Sequence, residues 1–358
     1  MSKKKSRAKK NKTTNSLLSL VIVLFIILIG VMSVYFYIVK DEPVFEFLGQ
    51  YLTTKDGAGA IRNKRETSSK PYNLTNNQKY AIDLVGKDNI NVLIIGTDQV
   101  AGNHDTLMIA SIDDVSNEVK LINLPRDIYI DYSDKVKSEL KNIWPAYSKS
   151  KGIFKINACH IIGKRLNYED GKGRFNNSEY DFVADVIEEV FNIYIDDYVY
   201  IKPSSFRRVV EYFGGVQIDV PYLMKYSDPT QNLEINIKKG IQTLNGKDAE
   251  GFVRYRQGTD ENGKYKSIGD IERKNNQVTF AKAFIKQHLN LKNLGKFITI
   301  FNELNEYVDS SVEETKKAGE YGKLAEVLYR NNLSIISENI ECKDSKIDGI
   351  YYLKIKQK

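Results

Sequence analysis

The chain has 358 residues, of which 42% are hydrophobic and 28% are charged, and it contains two cysteines. These values exclude intrinsic disorder, a collagen-like repeat and a small disulfide-rich scaffold. The formal net charge is +7, from 53 basic and 46 acidic residues. Seven of the basic residues lie within residues 1–12, which leaves 46 basic against 46 acidic residues in the remainder. This balance excludes a nucleic-acid-binding domain, whose surface carries an excess of positive charge.

Residues 17–39 form an apolar segment that contains no charged residue. A helix of that length spans about 34 Å, which exceeds the hydrocarbon core of a bilayer at about 30 Å. A cleaved signal peptide is the alternative, but the segment is longer than a usual signal core and lacks a small-residue cleavage site before Lys40. Because basic residues favour the cytoplasmic side, we predict a cytoplasmic tail (1–16), a transmembrane anchor (17–39) and an extracytoplasmic remainder.

The segment after the anchor, residues 40–88, is predicted as an extracytoplasmic stalk with a short helix near 43–52, and order is expected from Asn89. Three apolar runs come next and predict strands that are covered on both faces of a sheet. Their short polar connections favour antiparallel pairing as a meander. These runs are 91–96, 106–112 and 119–125.

Helical periodicity dominates the later part of the chain. It predicts helices at 179–191, 204–213, 270–290 and 312–330. Ser204 or Ser205 is expected to cap the second of these helices, and Gly214–Gly215 to end it. Strands are predicted at 215–221, 234–240 and 251–257. The interleaving of strands and helices predicts an α/β fold, a three-layer α/β/α domain with a central mixed sheet that is preceded by one transmembrane helix.

Three polar residues flank the first three strands where the meander brings their ends together. Asp98 follows the first strand, Asp105 precedes the second, and Arg126 follows the third. Polar loop composition would explain any one of them, since aspartate favours turns. Their convergence at one edge of the sheet instead indicates a site.

Further arginines extend this site. In the predicted strand 251–257, Arg254 and Arg256 would share one face, and two adjacent guanidinium groups repel unless an anion lies between them. Arg273 and Gln277 lie one helical turn apart on the following helix. Arginines with two carboxylates suit a pyrophosphate bound with a divalent metal, although surface Arg–Asp pairs are an equal alternative.

Other catalytic signatures are absent from the sequence. It contains no GxxxxGK[ST] phosphate loop, no GxGxxG after a strand, no GxSxG and no HExxH. ATP-driven chemistry, dinucleotide redox chemistry, serine hydrolysis of the elbow type and zinc proteolysis are therefore disfavoured. Cys159 and Cys342 are compatible either with one disulfide or with two thiols.

The order of short motifs along the chain resembles the LytR-CpsA-Psr family of membrane-anchored cell-wall enzymes. The resemblance covers a domain at 89–295, and residues 296–358 are then expected as a helical and mixed extension packed on that domain. The motifs are NVLIIGTD, HDTLMIASI, VKLINLPRDIYI, KINACH, FGGVQIDVP, LNGKDAEGFVRYRQ and GDIERKNNQ.

The resemblance implies an extracytoplasmic phosphotransferase. Such an enzyme attaches an anionic glycopolymer, for example teichoic acid or capsule, from a polyprenyl-pyrophosphate carrier to peptidoglycan through a phosphodiester, assisted by Mg²⁺. By motif, Asp98 and Asp105 would hold the metal, and Asp105 and Arg126 would be catalytic. The residues implied to bind pyrophosphate are Arg126, Lys155, Arg254, Arg256, Arg273 and Gln277.

Two positions depart from the family pattern. Asn103-His104-Asp105-Thr106 stands where the family usually has Arg-Ser-Asp-Thr, and Asn276-Gln277 stands where it has Arg-Gln. The missing charge keeps two alternatives open: a binding or regulatory protein without turnover, and a polyprenyl-pyrophosphate phosphatase. A third possibility is that His104 or Lys155 supplies the charge.

Overall fold

The computed structural model describes residues 57–65, 70–97, 104–231, 233–288, 308–312, 315–331 and 333–358. The predicted anchor at 17–39 and the predicted helix near 43–52 lie outside these ranges. Within the ranges, no helix combines the length and the apolar character that crossing a membrane requires.

The described residues form strands and helices that alternate along most of the chain. The strands are β1 (Ile90–Thr97), β2 (His104–Asp113), β3 (Glu118–Leu124), β4 (Asp197–Ile201), β5 (Val216–Val220), β6 (Met224–Asp228), β7 (Leu233–Ile237), β8 (Gly240–Leu244), β9 (Gln257–Thr259), β10 (Tyr265–Ser267), β11 (Asp309–Ser310), β12 (Ser334–Asn339), β13 (Cys342–Ile347) and β14 (Ile350–Ile355). The α-helices are α1 (Gly57–Arg62), α2 (Asp134–Ile143), α3 (Cys159–Leu166), α4 (Ser178–Phe191), α5 (Pro203–Tyr212), α6 (Gly246–Arg254), α7 (Gly269–His288) and α8 (Thr315–Arg330).

A six-stranded sheet with the order β11-β4-β1-β2-β3-β12 organises the domain. Strands β1, β2 and β3 pair antiparallel, which confirms the predicted meander. Strand β4 runs parallel to β1, and β12 runs parallel to β3. The sheet is therefore mixed, as predicted.

Side chains from both faces of this sheet are buried in separate apolar clusters. In β1, Val92 and Ile94 pack with residues of α1, α5, α6, α7 and α8, whereas Leu93 and Ile95 pack with residues of α2, α3 and α4. Successive residues of a strand point to opposite faces, so a strand that is covered on both sides reads as a continuous apolar run. Helices cover the sheet on both faces.

The long helices agree with the sequence prediction to within a few residues, but the start of α5 does not. Lys202 is the N-cap and makes no side-chain capping bond, while Pro203 begins the helix. The prediction that Ser204 or Ser205 caps this helix is therefore wrong, because proline already has the backbone angle that the first helical position needs. Gly214 and Gly215 adopt positive φ angles of 81° and 88° and end the helix as expected.

Residues 251–257 do not form the predicted strand. Residues 246–254 are helix α6, whose N-cap Asn245 accepts a hydrogen bond from the Asp248 backbone nitrogen. Ala249, Phe252 and Val253 are buried at helical spacing, so the apolar pattern fits a helix better than a strand. Arg254 is the last residue of α6, and Arg254 and Arg256 consequently do not share the face of a strand.

The predicted stalk ends earlier than expected. Leu74, Tyr80 and Leu84 are buried in the apolar cluster that contains α4, where their side chains complete the core on that face of the sheet. Tyr80 also forms a β-bridge with Gln357 near the end of the chain. Order therefore does not begin at Asn89, and the segment before β1 belongs to the folded domain.

The carboxylate of Glu189 fixes this segment to α4. It accepts hydrogen bonds from the backbone nitrogens of Leu74 and Thr75, at 2.9 and 2.7 Å, and from the Thr75 hydroxyl at 2.5 Å. We expect Glu189→Gln to lower the free energy of unfolding by about 2 kcal/mol, because the amide cannot accept all three bonds and leaves a buried donor unsatisfied. Urea denaturation measures this change. Glu211→Gln, at an exposed position of α5, is the control, and equal midpoints for the two variants would contradict the assigned role.

The C-terminal segment contributes directly to the sheet and to the loop after β3. Strand β12 pairs with residues 118–123 of β3. In the β13–β14 hairpin, the Leu353 nitrogen donates to the Asp127 carbonyl, and the Tyr129 nitrogen donates to the Leu353 carbonyl, both at 2.8 Å. Cys342 in β13 and Cys159 in α3 are not joined by a disulfide.

Candidate active site

The strand register brings several chain segments to one edge of the sheet, which is called the upper edge below. Thr97 at the end of β1 lies opposite His104 at the start of β2, while Gly96 lies opposite Thr106. Asp105 thus has no cross-strand partner and is the extra residue of a β-bulge. Bulges are common beside active sites because they redirect a side chain. The side chain of Asp105 and all of Asp98 lie outside the described part of the structure.

Arg126 and Lys155 lie together near the upper edge, and both contact Asp127. Lys155 Nζ is 2.5 Å from Asp127 Oδ1, and Arg126 Nε is 3.5 Å from Oδ2. The Asn157 nitrogen donates to the Arg126 carbonyl at 3.4 Å, which joins the two loops. Both cationic side chains line an open cavity of about 820 Å³. A cavity of this volume is in the range that binds small molecules.

A second group of predicted site residues is buried between α6 and α7. The exposed fractions of Arg254, Arg273 and Gln277 are 6%, 3% and 2%. Arg254 Nη1 lies 2.6 Å from Glu250 Oε1, and Arg207 pairs with the other oxygen of the same carboxylate. Because Glu250 lies one helical turn before Arg254, it orients the guanidinium at the end of α6.

Gln277 connects this buried group to the sheet. Its Nε2 donates to the Val253 carbonyl at 3.1 Å, beside Arg254. Gln277 also lines a small cavity between α7 and the sheet, together with Asn123 of β3. Asn123 precedes Arg126 by three residues, a distance of at most about 10 Å along an extended chain. Gln277 therefore lies beside β3, at a position three residues before Arg126.

Two positions do not match the expected cluster of arginines: Arg256 is not beside Arg254 on a strand, and residue 276 is an asparagine. Arg256 lies in the loop after α6, where its carbonyl accepts a 2.8 Å bond from the Ile268 nitrogen just before α7. Asn276, at the position where the family pattern has arginine, is buried near Tyr222. Burial raises the pKa of Tyr222, although the neighbouring Asn276 opposes the shift.

His104 and His160 form a buried stacked pair at the upper edge. Their ring centroids are 3.6 Å apart, and His160 Nδ1 lies 3.1 Å from the Asn157 carbonyl oxygen. Burial lowers the pKa of His104 well below its ordinary value, and repulsion from His160 adds to the effect. His104 is consequently neutral at pH 7 and does not replace a missing arginine charge.

The pKa of His104 also predicts a pH dependence of stability. The unfolded chain protonates this histidine below about pH 6.5 whereas the folded protein does not, so the unfolded state binds more protons and stability falls as the pH decreases. We expect His104→Phe, which keeps a stacked ring, to remove about 2 kcal/mol of the stability lost between pH 7 and pH 5. Urea denaturation of both proteins at each pH measures the difference. Parallel stability curves for the two proteins would contradict this assignment.

The two carboxylates that the resemblance implies as metal ligands, Asp98 and Asp105, are of the type that Mg²⁺ prefers, and neither side chain lies in the described part of the structure. Carboxylate oxygens are the ligands that Mg²⁺ prefers, and it normally keeps several water ligands beside one or two carboxylates. Among the described residues there is no group of three or more His, Cys, Asp or Glu side chains suited to a metal.

The sequence analysis did not identify Glu250 and Arg207, which hold Arg254. The spacing of Glu250 and Arg254, four residues apart, is the signal of a helical ion pair. It was hidden because the segment alternates like a strand from Val253 to Arg256.

Comparison with known proteins settles the family. The model of the LytR_cpsA_psr family matches residues 50–358. The chain belongs to the LytR-CpsA-Psr family. The match begins well before residue 89 and ends at the last residue, in agreement with the packing of residues 70–88 and of the C-terminal strands against the domain.

Two curated members of the LytR-CpsA-Psr family are similar over most of this chain. The polyisoprenyl-teichoic acid–peptidoglycan teichoic acid transferase TagU of Bacillus licheniformis is 22% identical over 307 residues, which cover 85% of this chain and 84% of TagU. The corresponding transferase TagV of Bacillus subtilis is 24% identical over 68% of this chain and 55% of TagV. The crystal structure of B. subtilis TagV has the same fold, with a TM-score of 0.50 over 75% of this chain and 91% of that chain.

Proposed function

We propose that this protein transfers a glycopolymer from a polyprenyl-pyrophosphate carrier to peptidoglycan. The observation that carries this proposal is the similarity to TagU, a named teichoic acid transferase, over 85% of this chain and 84% of TagU. Membership of the LytR-CpsA-Psr family over residues 50–358 supports it. The proposed substrate is an anionic glycopolymer, for example teichoic acid or capsule.

The geometry supports an anionic substrate at the upper edge. Arg126 and Lys155 line the cavity beside the loop after β3. Gln277, which is bonded to the Val253 carbonyl next to Arg254, lines a second cavity with Asn123 of β3. Guanidinium groups bind phosphate oxygens through paired hydrogen bonds and remain charged at every physiological pH. Burial strengthens such contacts, since little water competes for the phosphate.

The proposed reaction exchanges one phosphorus–oxygen bond for another. A hydroxyl oxygen of the peptidoglycan glycan attacks the phosphorus that carries the polymer, and the bond from that phosphorus to the bridging oxygen breaks. Polyprenyl phosphate leaves with the bond's electron pair, and the polymer is joined to the acceptor by a phosphodiester. The hydroxyl proton passes to a carboxylate, for which Asp105 at the β2 bulge is our candidate. The arginines stabilise charge on the leaving group.

Mg²⁺ is part of the proposal, with Asp98 and Asp105 as the residues that would hold it. When bound, it would neutralise negative charge on the pyrophosphate. We further propose that residues 17–39 anchor the protein in the cell membrane, with residues 1–16 in the cytoplasm and the domain outside. Protease added to intact protoplasts should then remove the domain and leave the N-terminal tail protected, whereas release of the domain without protease would contradict the anchor.

The proposed activity is tested with the full-length protein in detergent. The donor is a polyprenyl-pyrophosphate saccharide with a labelled sugar, and the acceptor is purified peptidoglycan without attached polymer. Label should become bound to the insoluble peptidoglycan, and chelation of Mg²⁺ should prevent this. Release of soluble sugar phosphate without attachment would instead identify a phosphatase, and binding of the donor without either product would identify a binding or regulatory protein.

A further inference from the structure

The large cavity beside Arg126 has walls that no family motif accounts for. One part of its lining comes from residues 144–152, and another part comes from the hairpin turn at Asp348 and Gly349. The turn joins β13 to β14 with positive φ angles at both residues, 49° and 78°, which suits a tight Asp-Gly connection. The hydrogen bonds of Leu353 to residues 127 and 129 hold this hairpin against the Arg126 loop.

The cavity has an excess of positive charge. Four cationic side chains line it, against the carboxylates of Asp127 and Asp348; the cations are Arg126, Lys149, Lys151 and Lys155. Asp127 is already paired with Arg126 and Lys155. Lys149 and Lys151 are exposed and form no ion pair with any residue in the described part of the chain. The chain beyond its N-terminal tail has equal numbers of acidic and basic residues. The excess of positive charge in this cavity is therefore local, and it attracts polyanions.

The wall that carries the two lysines is ordered by its own backbone. The Tyr147 nitrogen donates to the Trp144 carbonyl at 2.9 Å, and the Ser150 nitrogen donates to the Tyr147 carbonyl at 3.0 Å. The buried Ile153 then attaches the segment to the core. A wall that is already ordered loses less conformational entropy when a ligand binds.

Trp144 adds an aromatic surface to the same wall. It is the only tryptophan of the chain, it is half-buried, and it lines the cavity. The Arg165 guanidinium lies 5.1 Å from its ring centroid and helps to hold the ring in place. An aromatic ring beside unpaired amines suits a ligand that has both apolar sugar faces and negative groups.

We propose that this cavity binds the anionic polymer portion of the donor through Lys149, Lys151 and Trp144. This inference rests on the proposed function, and it assigns a binding site to the polymer units that follow the pyrophosphate in the donor. A polyprenyl tail does not fit a wall of exposed amines, and an uncharged glycan would leave those amines without counter-charges. The cavity volume of about 820 Å³ exceeds the needs of a pyrophosphate and leaves room for polymer units.

The test compares the wild-type chain with the double variant Lys149→Gln/Lys151→Gln. Equilibrium binding of a soluble glycerol-phosphate oligomer is measured at low and at high salt. We expect binding to weaken about tenfold at low salt, and the difference to shrink as salt screens the exposed charges. Trp144→Ala should weaken binding at both salt concentrations, because stacking is not screened. Lys238→Gln/Lys239→Gln, in the exposed turn between β7 and β8, makes the same charge change and should bind like the wild type.

Two results would overturn the assignment. Equal binding by wild type and Lys149→Gln/Lys151→Gln would show that the lysines do not hold the polymer. Equal weakening by Lys238→Gln/Lys239→Gln would show only a general effect of net charge. The binding measurement requires no turnover, so it separates failure of this inference from failure of the proposed transferase activity, which the peptidoglycan assay detects.

Discussion

Arg254→Ala is expected to lower the rate of polymer transfer to peptidoglycan at least about 100-fold. Each charge-assisted hydrogen bond to a phosphate oxygen contributes about 1.5–3 kcal/mol, and a guanidinium can form two. Arg254→Lys should recover only a small part of the rate, because an ammonium group keeps the charge but cannot form the paired contact. Transfer of labelled polymer from a saturating donor measures both variants.

The control for Arg254 is Arg207→Ala. Arg207 pairs with the same carboxylate, Glu250, from the opposite side, but its side chain is one-third exposed and belongs to α5. This variant disturbs the ion pair without removing a proposed phosphate ligand, and we expect it to retain most of the transfer rate. Thermal unfolding of both variants separates loss of fold from loss of function. If the Arg254→Ala protein transferred polymer at the wild-type rate, Arg254 would have no role in the proposed site.

Asp105→Asn is expected to abolish transfer at low Mg²⁺ concentration and to leave the fold intact. The change keeps the size of the side chain and removes the negative charge, so metal affinity and the capacity to accept a proton are both lost. The rate as a function of Mg²⁺ concentration measures the effect. A partial recovery at high Mg²⁺ would identify a metal ligand, while a loss at all concentrations would identify a catalytic base.

The opposite end of the same strand offers a control for Asp105. Asp113 ends β2 at the lower edge of the sheet, where it accepts hydrogen bonds from the Val115 and Ser116 nitrogens, both at 3.0 Å. Asp113→Asn removes the same charge from β2 far from the upper edge and should preserve the Mg²⁺ dependence. If Asp105→Asn transferred polymer at the wild-type rate in limiting Mg²⁺, Asp105 would have no part in the mechanism.

Local patterns predicted the centre of the fold correctly. The apolar runs of β1, β2 and β3 and their short connections determine both the strands and their antiparallel order. The helix α4 was recognisable from its repeated apolar pairs. These elements are stabilised by neighbours in sequence, and such patterns are visible without a structure.

Helix α6 was missed because apolar and charged residues alternate from Val253 to Arg256 as in a strand, and because the helix contains Gly251, a residue that helices disfavour. A Cβ added at Gly251 would lie 3.2 and 3.3 Å from side-chain carbons of Ile235 and Ile237 in β7. Such contacts are tight, so the glycine allows α6 to pack closely on that strand. A partner distant in the sequence decides the local structure here, and no pattern within 246–254 reveals that partner.

The remainder of the site depends on long-range contacts that the sequence does not display. Residues 70–88 and 334–339 have no strong apolar periodicity, yet they complete the core and the sheet. Glu250 was likewise absent from the predicted site because its significance depends on Arg254 being helical. The motifs supplied the identity of the cationic residues, and the tertiary structure supplies their partners.

The bridge between Tyr80 and Gln357 has a consequence for the order in which the domain can assemble. This bridge closes a loop that runs from residue 80 to residue 357, and the entropic cost of closing a loop increases with its length. The Arg126 loop acquires its backbone partners from Leu353 only when that closure occurs. The β1–β2–β3 meander joins segments that are close in sequence and can form before the C-terminal hairpin, whereas the loop at Arg126 gains its bonds to Leu353 only after β14 has been synthesised.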